Sequence, residues 1–415
     1  MRRNASFLLA GLLAALAAPV IAEERPQAEP YSGIQALLER RQESMLKGDE
    51  EAFMATVDRS DPRFAERQLF LFEGFQRIGL TEYRLELTDR YWPELTTDRE
   101  VEKYGSAAQP TVLHIEERYR LRGLDEQAAL DDLYLTFVRR GGEWLVASDS
   151  DLADLMLLTG RKLWEFGPIE TQRSEHFLYV SHPDLRSAGQ AILGSAEQAL
   201  GRLNDAWPLP WSRQVVLFAP STTEELRRIL QATFDLDVFV AFAYSSVDRE
   251  TDYDLAGHRI IFNWENFSQH SESVQQTILV HELLHVATRE LTGPMVPAFV
   301  DEGLAEWASE GGSTYLLNRR IANATFDREL PRDYQFFTGP DEDILLSYEE
   351  SYTAAQYAMA RYGTDAVARM YRVLGGVRQE PGTPLYHIDQ AMQEAFGTDL
   401  ETFEDRWATW VLDSL

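Results

Sequence analysis

The chain has 415 residues, 68 of them acidic against 39 basic, for a formal net charge of −29, and it contains no cysteine. So acidic a surface repels nucleic acid and anionic membranes, and without cysteine neither a disulfide nor a thiol-linked lipid is available to it. The length suggests two domains, and the sequence holds no internal repeat, phosphate-cradling glycine loop or serine–histidine–aspartate pattern.

Arg2 and Arg3 precede an apolar run from Phe7 to Ala18 and the small-residue end Val20-Ile21-Ala22, the pattern of a secretory signal peptide over residues 1–22. Its removal with both arginines takes the net charge to −31. No other stretch approaches the ~20 apolar residues of a membrane span. The mature chain is therefore expected in the periplasm or medium of a bacterium, without a stable membrane anchor. A linker over 23–30 leads to a first domain over 31–155. Ile34, Leu37, Leu38 and Met45 mark a helical stretch, broken at Gly48-Asp49, and a second helix runs near Phe64 to Ile78. Strands are expected at Tyr83–Tyr91, Thr111–Leu121, Leu130–Arg140 and Glu143–Ser148, the last two joined by a Gly141-Gly142 hairpin turn. Helices followed by such a meander resemble the cone-shaped fold of the nuclear-transport-factor-like superfamily, which implies a binding or accessory role. Tyr91, Trp92, His114 and Trp144 have no spacing that demands a metal or a nucleophile, and a core or sheet-surface place is the default for each.

A junction over 156–173 precedes the second domain, 174–415. It opens with a strand from His176 to Ser181 and a helix from Asp184 to Leu203. Strands at Val215–Phe218 and Val238–Tyr244 flank a helix over Thr223–Thr233, and Arg259–Asn263 is a further strand. The segment His281-Glu282-Leu283-Leu284-His285 then carries the chemistry. On a helix, side chains four apart lie one above the other, so His281 and His285 can grip one metal ion with Glu282 beside them. Neutral imidazoles suit Zn²⁺. Ser273 and Gln276 fit a capping box at the start of this helix, and Val280, Leu283, Leu284 and Ala287 make it apolar all round, hence buried.

A catalytic zinc needs a third protein ligand. Thr288 and Leu291 stand where the extended metzincin pattern requires Gly and His, so that class is excluded. Gly293-Pro294 stops the helix, and Pro297 opens a second one whose Glu302, seventeen residues past His285, can fold back as the third ligand. Glu306, one turn on, can orient a ligand histidine, with Asp301 competing for either role. His176, His182, His258, His270 and His387 lack partner spacing and are not assigned to the metal.

These residues resemble the gluzincin side of the zinc metallopeptidases, specifically the bacterial peptidase MA-like proteins. Those proteins follow the HExxH helix with a motif like W-x-x-E-G-x-A. Here it reads Phe299-Val300-Asp301-Glu302-Gly303-Leu304-Ala305, with Phe in the place of Trp. The resemblance extends over roughly 174 to 413. It implies an α+β fold in which a small mixed sheet, the HExxH helix and a helical lower lobe follow the helices-plus-curved-sheet domain. It implies further that the strand Gly257–Asn263 is the cleft edge along which substrate lies. Tyr348, with Tyr352 as its rival, would donate to the oxyanion, while Tyr357 and Tyr362 read as core. The function expected is an exported zinc peptidase acting on peptides or proteins, with Glu282 as general base. Endopeptidase action is favoured because the Gly-x-Met-Glu-Asn exopeptidase motif is absent. The alternative is a catalytically silent zinc-binding or scaffold protein whose N-terminal domain binds a partner.

Overall fold

The computed structural model describes residues 30–88, 95–233, 236, 239–248, 254–289, 291–292, 296–336, 338–376 and 384–415. The expected signal peptide, Tyr91, Trp92 and the Gly293-Pro294 helix stop lie outside the described residues.

Three helices open the N-terminal domain: α1 (Tyr31–Lys47), α2 (Glu50–Met54) and α3 (Pro62–Ile78). Their starts follow local chemistry. The Asp49 carboxylate accepts from the Ala52 N–H, and Asp61 accepts from Arg63 and Phe64. Pro62 takes the first helical turn, where its missing N–H is not needed. An antiparallel sheet follows in the spatial order of the chain: β1 (Leu80–Leu87), then α4 (Asp98–Tyr104) in the connection, β2 (Thr111–Leu121), β3 (Ala129–Arg140) and β4 (Glu143–Ser148). The first strand begins three residues before Tyr83, because α3 ends at Ile78 and the chain enters the sheet within one residue. Gly141 and Gly142 both have positive φ, 59° and 94°, as a tight two-residue hairpin requires. The apolar stripe of α3 fills the curl of this sheet, with the Phe75 ring 5.0–5.5 Å from those of Tyr83, Tyr119 and Trp164.

The second domain runs β5 (Glu170–Arg173), β6 (Phe177–Ser181), α5 (Gly189–Ala206), β7 (Val215–Ala219), α6 (Thr223–Leu230), β8 (Ala241–Asp248) and β9 (Asp254–Phe262). Its sheet has the order β5-β6-β7-β9-β8; β6, β7 and β9 are parallel, and the two outer strands are antiparallel to their neighbours. This corrects the expectation for Gly257–Asn263. All of that segment but Asn263 belongs to β9, an interior strand paired with β7 on one side and β8 on the other, and the edge beside it is β8.

After α7 (Trp264–Phe267) comes α8 (Glu272–Thr288), buried on every side from Ile278 to Thr288. Its N-cap is Ser271, not Ser273, and the expected capping box does not form. Gln275 instead ties the preceding turn by donating to the carbonyls of Phe267 and His270, and Gln276 reaches across to Gln198. The helical part is completed by α9 (Ala298–Ser309), α10 (Tyr315–Ala322), α11 (Asp341–Tyr362), α12 (Thr364–Gly375), α13 (Pro384–Phe396) and α14 (Leu400–Ser414). Stacked rings of Tyr362, Phe396 and Phe403 pin α11, α13 and α14 together. The architecture is α+β in two domains, as the element pattern implied. No helix of the described residues is long and apolar enough to cross a membrane.

The two sheets are joined through buried groups. Arg259 on β9 makes a two-pronged ion pair with Asp125, 2.6 and 2.8 Å, in the β2–β3 connection. The Leu130 N–H donates to Ser246 Oγ on β8 at 2.9 Å. Gly257 lies against Ala129 so closely that a Cβ there would fall 2.5 Å from the alanine methyl. Trp164, in the expected junction, is buried between Phe75 of one domain and Phe218 of the other, 5.0 and 6.0 Å between ring centres. Next to it Lys162 pairs with Glu117 and, at 3.1 Å, with Asp131. The junction is thus packed chain rather than tether.

Candidate metal centre

Helical periodicity brings His281 and His285 together on the face of α8 that meets α9, their ring centres 4.8 Å apart. Glu302 comes across from α9 with Oε2 at 3.3 Å from His281 Nε2 and 3.8 Å from His285 Nε2. One donor atom from each of the three lies within 4.8 Å of the other two. Exposure is 2 %, 1 % and 3 % for His281, His285 and Glu302. Two ligands of a tetrahedral zinc, each about 2.1 Å from it, stand about 3.4 Å apart, and the observed separations straddle that distance. His281 Nε2 and His285 Nε2 have no hydrogen-bond partner. Two buried nitrogens aimed at one carboxylate with nothing bridging them are costly unless a cation fills the space between. The cluster can therefore hold a metal ion.

The opposite nitrogens of the imidazoles face carboxylates from the same helix α9. His281 Nδ1 lies 3.5 Å from Glu306 Oε1, and His285 Nδ1 lies 3.5 Å from Asp301 Oδ1. Glu306 and Asp301 are thus placed one per histidine rather than as rivals. Such contacts fix which nitrogen is free for a metal. Burial pushes the His285 imidazole down to about 4, helped by His281 and Arg289 and opposed by Asp301, so at neutral pH it is uncharged, the form that ligates. Against the upward push of burial, His285, Arg289 and the Tyr371 hydroxyl hold Asp301 below the usual carboxylate range. Burial, reinforced by Glu302 and opposed by His281, raises Glu306.

Glu282 is 0 % exposed. Burial pushes its carboxyl up to about 8, with His281 opposing and Glu302 adding. Tyr348 on α11 is buried, packs edge-on against Phe336 and is raised well above a phenol's ordinary value by burial and by Glu302, Glu306 and Glu282. It therefore lies within electrostatic reach of the carboxylates of the cluster. Tyr352, one turn on, is half-buried, accepts a hydrogen bond from Gln356 and feels Glu306 and Glu310 instead. Tyr357 and Tyr362 pack among Phe403, Phe396 and Trp410, away from the cluster.

The glycine after Glu302 has a physical role. A Cβ on Gly303 would lie 2.4 Å from the backbone carbonyl oxygen of Ser351, so α9 and α11 approach closely only because this side chain is missing. That approach sets α11, the helix that carries Tyr348, against α9, the helix that carries Glu302. Two residues of the site were not read from the sequence. Arg289 continues the His281–His285 stripe by four more residues, a spacing that could have drawn notice, and its Nη2 donates to the Ala243 carbonyl on β8 at 3.2 Å. Tyr371 on α12 donates to the Val300 carbonyl, with Asp301 Oδ1 at 3.3 Å; nothing local in the sequence points to it. His114, His176, His182 and His258 bond to other groups: Asp132, Glu197, the Pro168 carbonyl and Ser245.

Residues 268–413, from the turn before α8 to the end of α14, match the family model described as Peptidase MA superfamily. No curated protein matches the chain. With the His–His–Glu cluster inside the matched span, the match supports a zincin-like domain of metallopeptidase type.

Proposed function

We propose that the chain is an exported zinc peptidase of the gluzincin type that hydrolyses internal bonds of peptides or proteins, with Glu282 as general base. The observation that carries this reading is the convergence of His281, His285 and Glu302 beside a fully buried carboxylate, Glu282. When bound, zinc supplies Lewis acidity at the scissile carbonyl. Glu282 takes the proton of the attacking water and hands it to the departing amine. Asp301 and Glu306 hold the ligand imidazoles in one tautomer and one orientation. Tyr348 donates to the developing oxyanion, a role supported by its burial within the electrostatic reach of Glu302, Glu306 and Glu282, and Tyr352 is the weaker of the two donors.

Residues 31–155 serve as a cone-like accessory domain. Asp125, Ala129 and Leu130 grip the β8–β9 hairpin, and this supports a bracing role for it. Export to periplasm or medium is supported by Arg2-Arg3 and the apolar run that follows. The test combines metal analysis with cleavage of blocked peptides, with and without a chelator. Zinc at unit stoichiometry and chelator-sensitive cleavage are expected. Glu282→Gln should keep the metal and lose about 10²- to 10⁴-fold in kcat; full activity in that variant would overturn the assignment.

A further inference from the structure

Arg289 ends α8 one turn beyond His285 and is 6 % exposed. Its Nη2 holds the Ala243 carbonyl, its Nε has no hydrogen-bond partner, and among the described residues it makes no ion pair. A guanidinium buried in this way, held through one carbonyl and in direct contact with no carboxylate among the described residues, keeps donor capacity in reserve. Asp301, Glu282 and Glu302 are close enough to favour its charge, yet each already serves the histidines or the metal position. The neighbouring cation Arg259 is committed to Asp125. His258, bonded through Nδ1 to Ser245 at 2.8 Å, is pushed down to about 4 by burial, Arg289 and Arg259, and is uncharged. Positive charge at this end of the cluster therefore rests on Arg289. Through Ala243 it is anchored to β8, the outer strand of the sheet.

We propose that Arg289 reads the substrate: its guanidinium pairs with a carboxylate of the bound peptide close to the scissile bond, either an acidic side chain, as cleavage of internal bonds requires, or the peptide's own C-terminus, which would make the cleavage terminal instead. This rests on the peptidase reading above. A planar fork with free donors suits a carboxylate in two-point contact. On a chain of net charge −29, a carboxylate peptide gains nothing from the general surface, so selection for it needs a local cation.

The experiment is calorimetric binding, without turnover, of short N-acetylated peptides to the full chain, metal-loaded and metal-stripped. One arm compares free-acid with amidated C-termini. The other compares amidated peptides carrying Glu or Gln. Wild type should bind the carboxylate form about 10- to 100-fold more tightly than its amide partner in one of the two arms, and that arm names the source. In Arg289→Met the ratio should collapse toward one, with Arg289→Lys between. Equal binding of acid and amide by wild type would overturn the proposal, even if the Met variant does not fold. So would a ratio that survives in Arg289→Met, since the metal would then be reading the carboxylate. Failure to cleave any peptide would sink the peptidase reading but leave this binding test standing.

Discussion

Gly303→Ala sets two physical effects against each other in a way that can be measured. In a helix interior, alanine is favoured over glycine by about 1 kcal/mol, so propensity alone predicts stabilisation. The new Cβ, however, would sit 2.4 Å from the Ser351 carbonyl oxygen and 2.8 Å from its carbonyl carbon. Comfortable contact begins near about 3.5 Å, so roughly 1 Å must open between the helices. The obstructing atoms are backbone of α11, a helix of 22 residues, and cannot rotate aside as a side chain would. Overpacking of this kind costs about 1–3 kcal/mol, and a rigid neighbour puts it at the upper end. Net destabilisation of about 1–2 kcal/mol is expected once propensity is subtracted. The displacement also acts on the adjacent Glu302, whose carboxylate is 3.3 Å from His281 Nε2. Zinc affinity should fall by about 10- to 100-fold, the range seen when ligand support is lost. The control is Gly201→Ala in α5, where nothing lies within 4 Å of the added methyl and a gain of about 0.5–1 kcal/mol is expected. Urea denaturation of metal-free protein gives the stabilities, and chelator competition gives the affinities. If Gly303→Ala gained stability like the control and bound zinc as tightly as wild type, the close packing of α9 on α11 would not be what sets the site.

Tyr348→Phe should bind zinc normally and lose about 10- to 100-fold in kcat, whereas wild-type turnover would remove it from oxyanion stabilisation. Asp125→Ala leaves the Arg259 guanidinium buried without its partner and should destabilise by about 3–5 kcal/mol, with much of that recovered in Asp125→Ala/Arg259→Met; an unchanged denaturation midpoint in the single variant would contradict the buried pair. Burial, with Asp327 and Glu349 adding and Arg320 opposing, pushes the Glu350 carboxyl up to about 8 from an ordinary 4.5. Between those values the unfolded chain has released the proton that the folded chain keeps, so Glu350 makes the fold less stable as pH rises through that window. Glu350→Gln should therefore gain stability relative to wild type at pH 8 but not at pH 4.5, and parallel profiles for the two proteins would refute the shift.

Short-range chemistry was readable in the chain. The four-residue step from His281 to His285, the helix restarting after Pro297 and the Gly141-Gly142 turn all express local geometry, and they appear in the structure. The cap of α8 was misread because Ser271 and Ser273 both suit the role, and the choice fell to Gln275 bonding backward to two carbonyls. Sheet order was the larger gap. β8 and β9 are both apolar runs, and which of them lies at the edge depends on β9 pairing with β7, about forty residues earlier. The partners that complete the site are equally remote in sequence: Arg289 with Ala243, Tyr371 with Asp301, and Arg259 with Asp125, 134 positions apart. No local pattern marks a residue for a contact made that far along the chain.

Glu302, Asp301 and Glu306 all ride on α9, while both imidazoles ride on α8. Sliding or tilting one short rod would carry a ligand and both of the groups that orient the histidines out of position at once. Affinity for the ion then has a single mechanical coordinate, and anything that presses on α9 works as a dial on it.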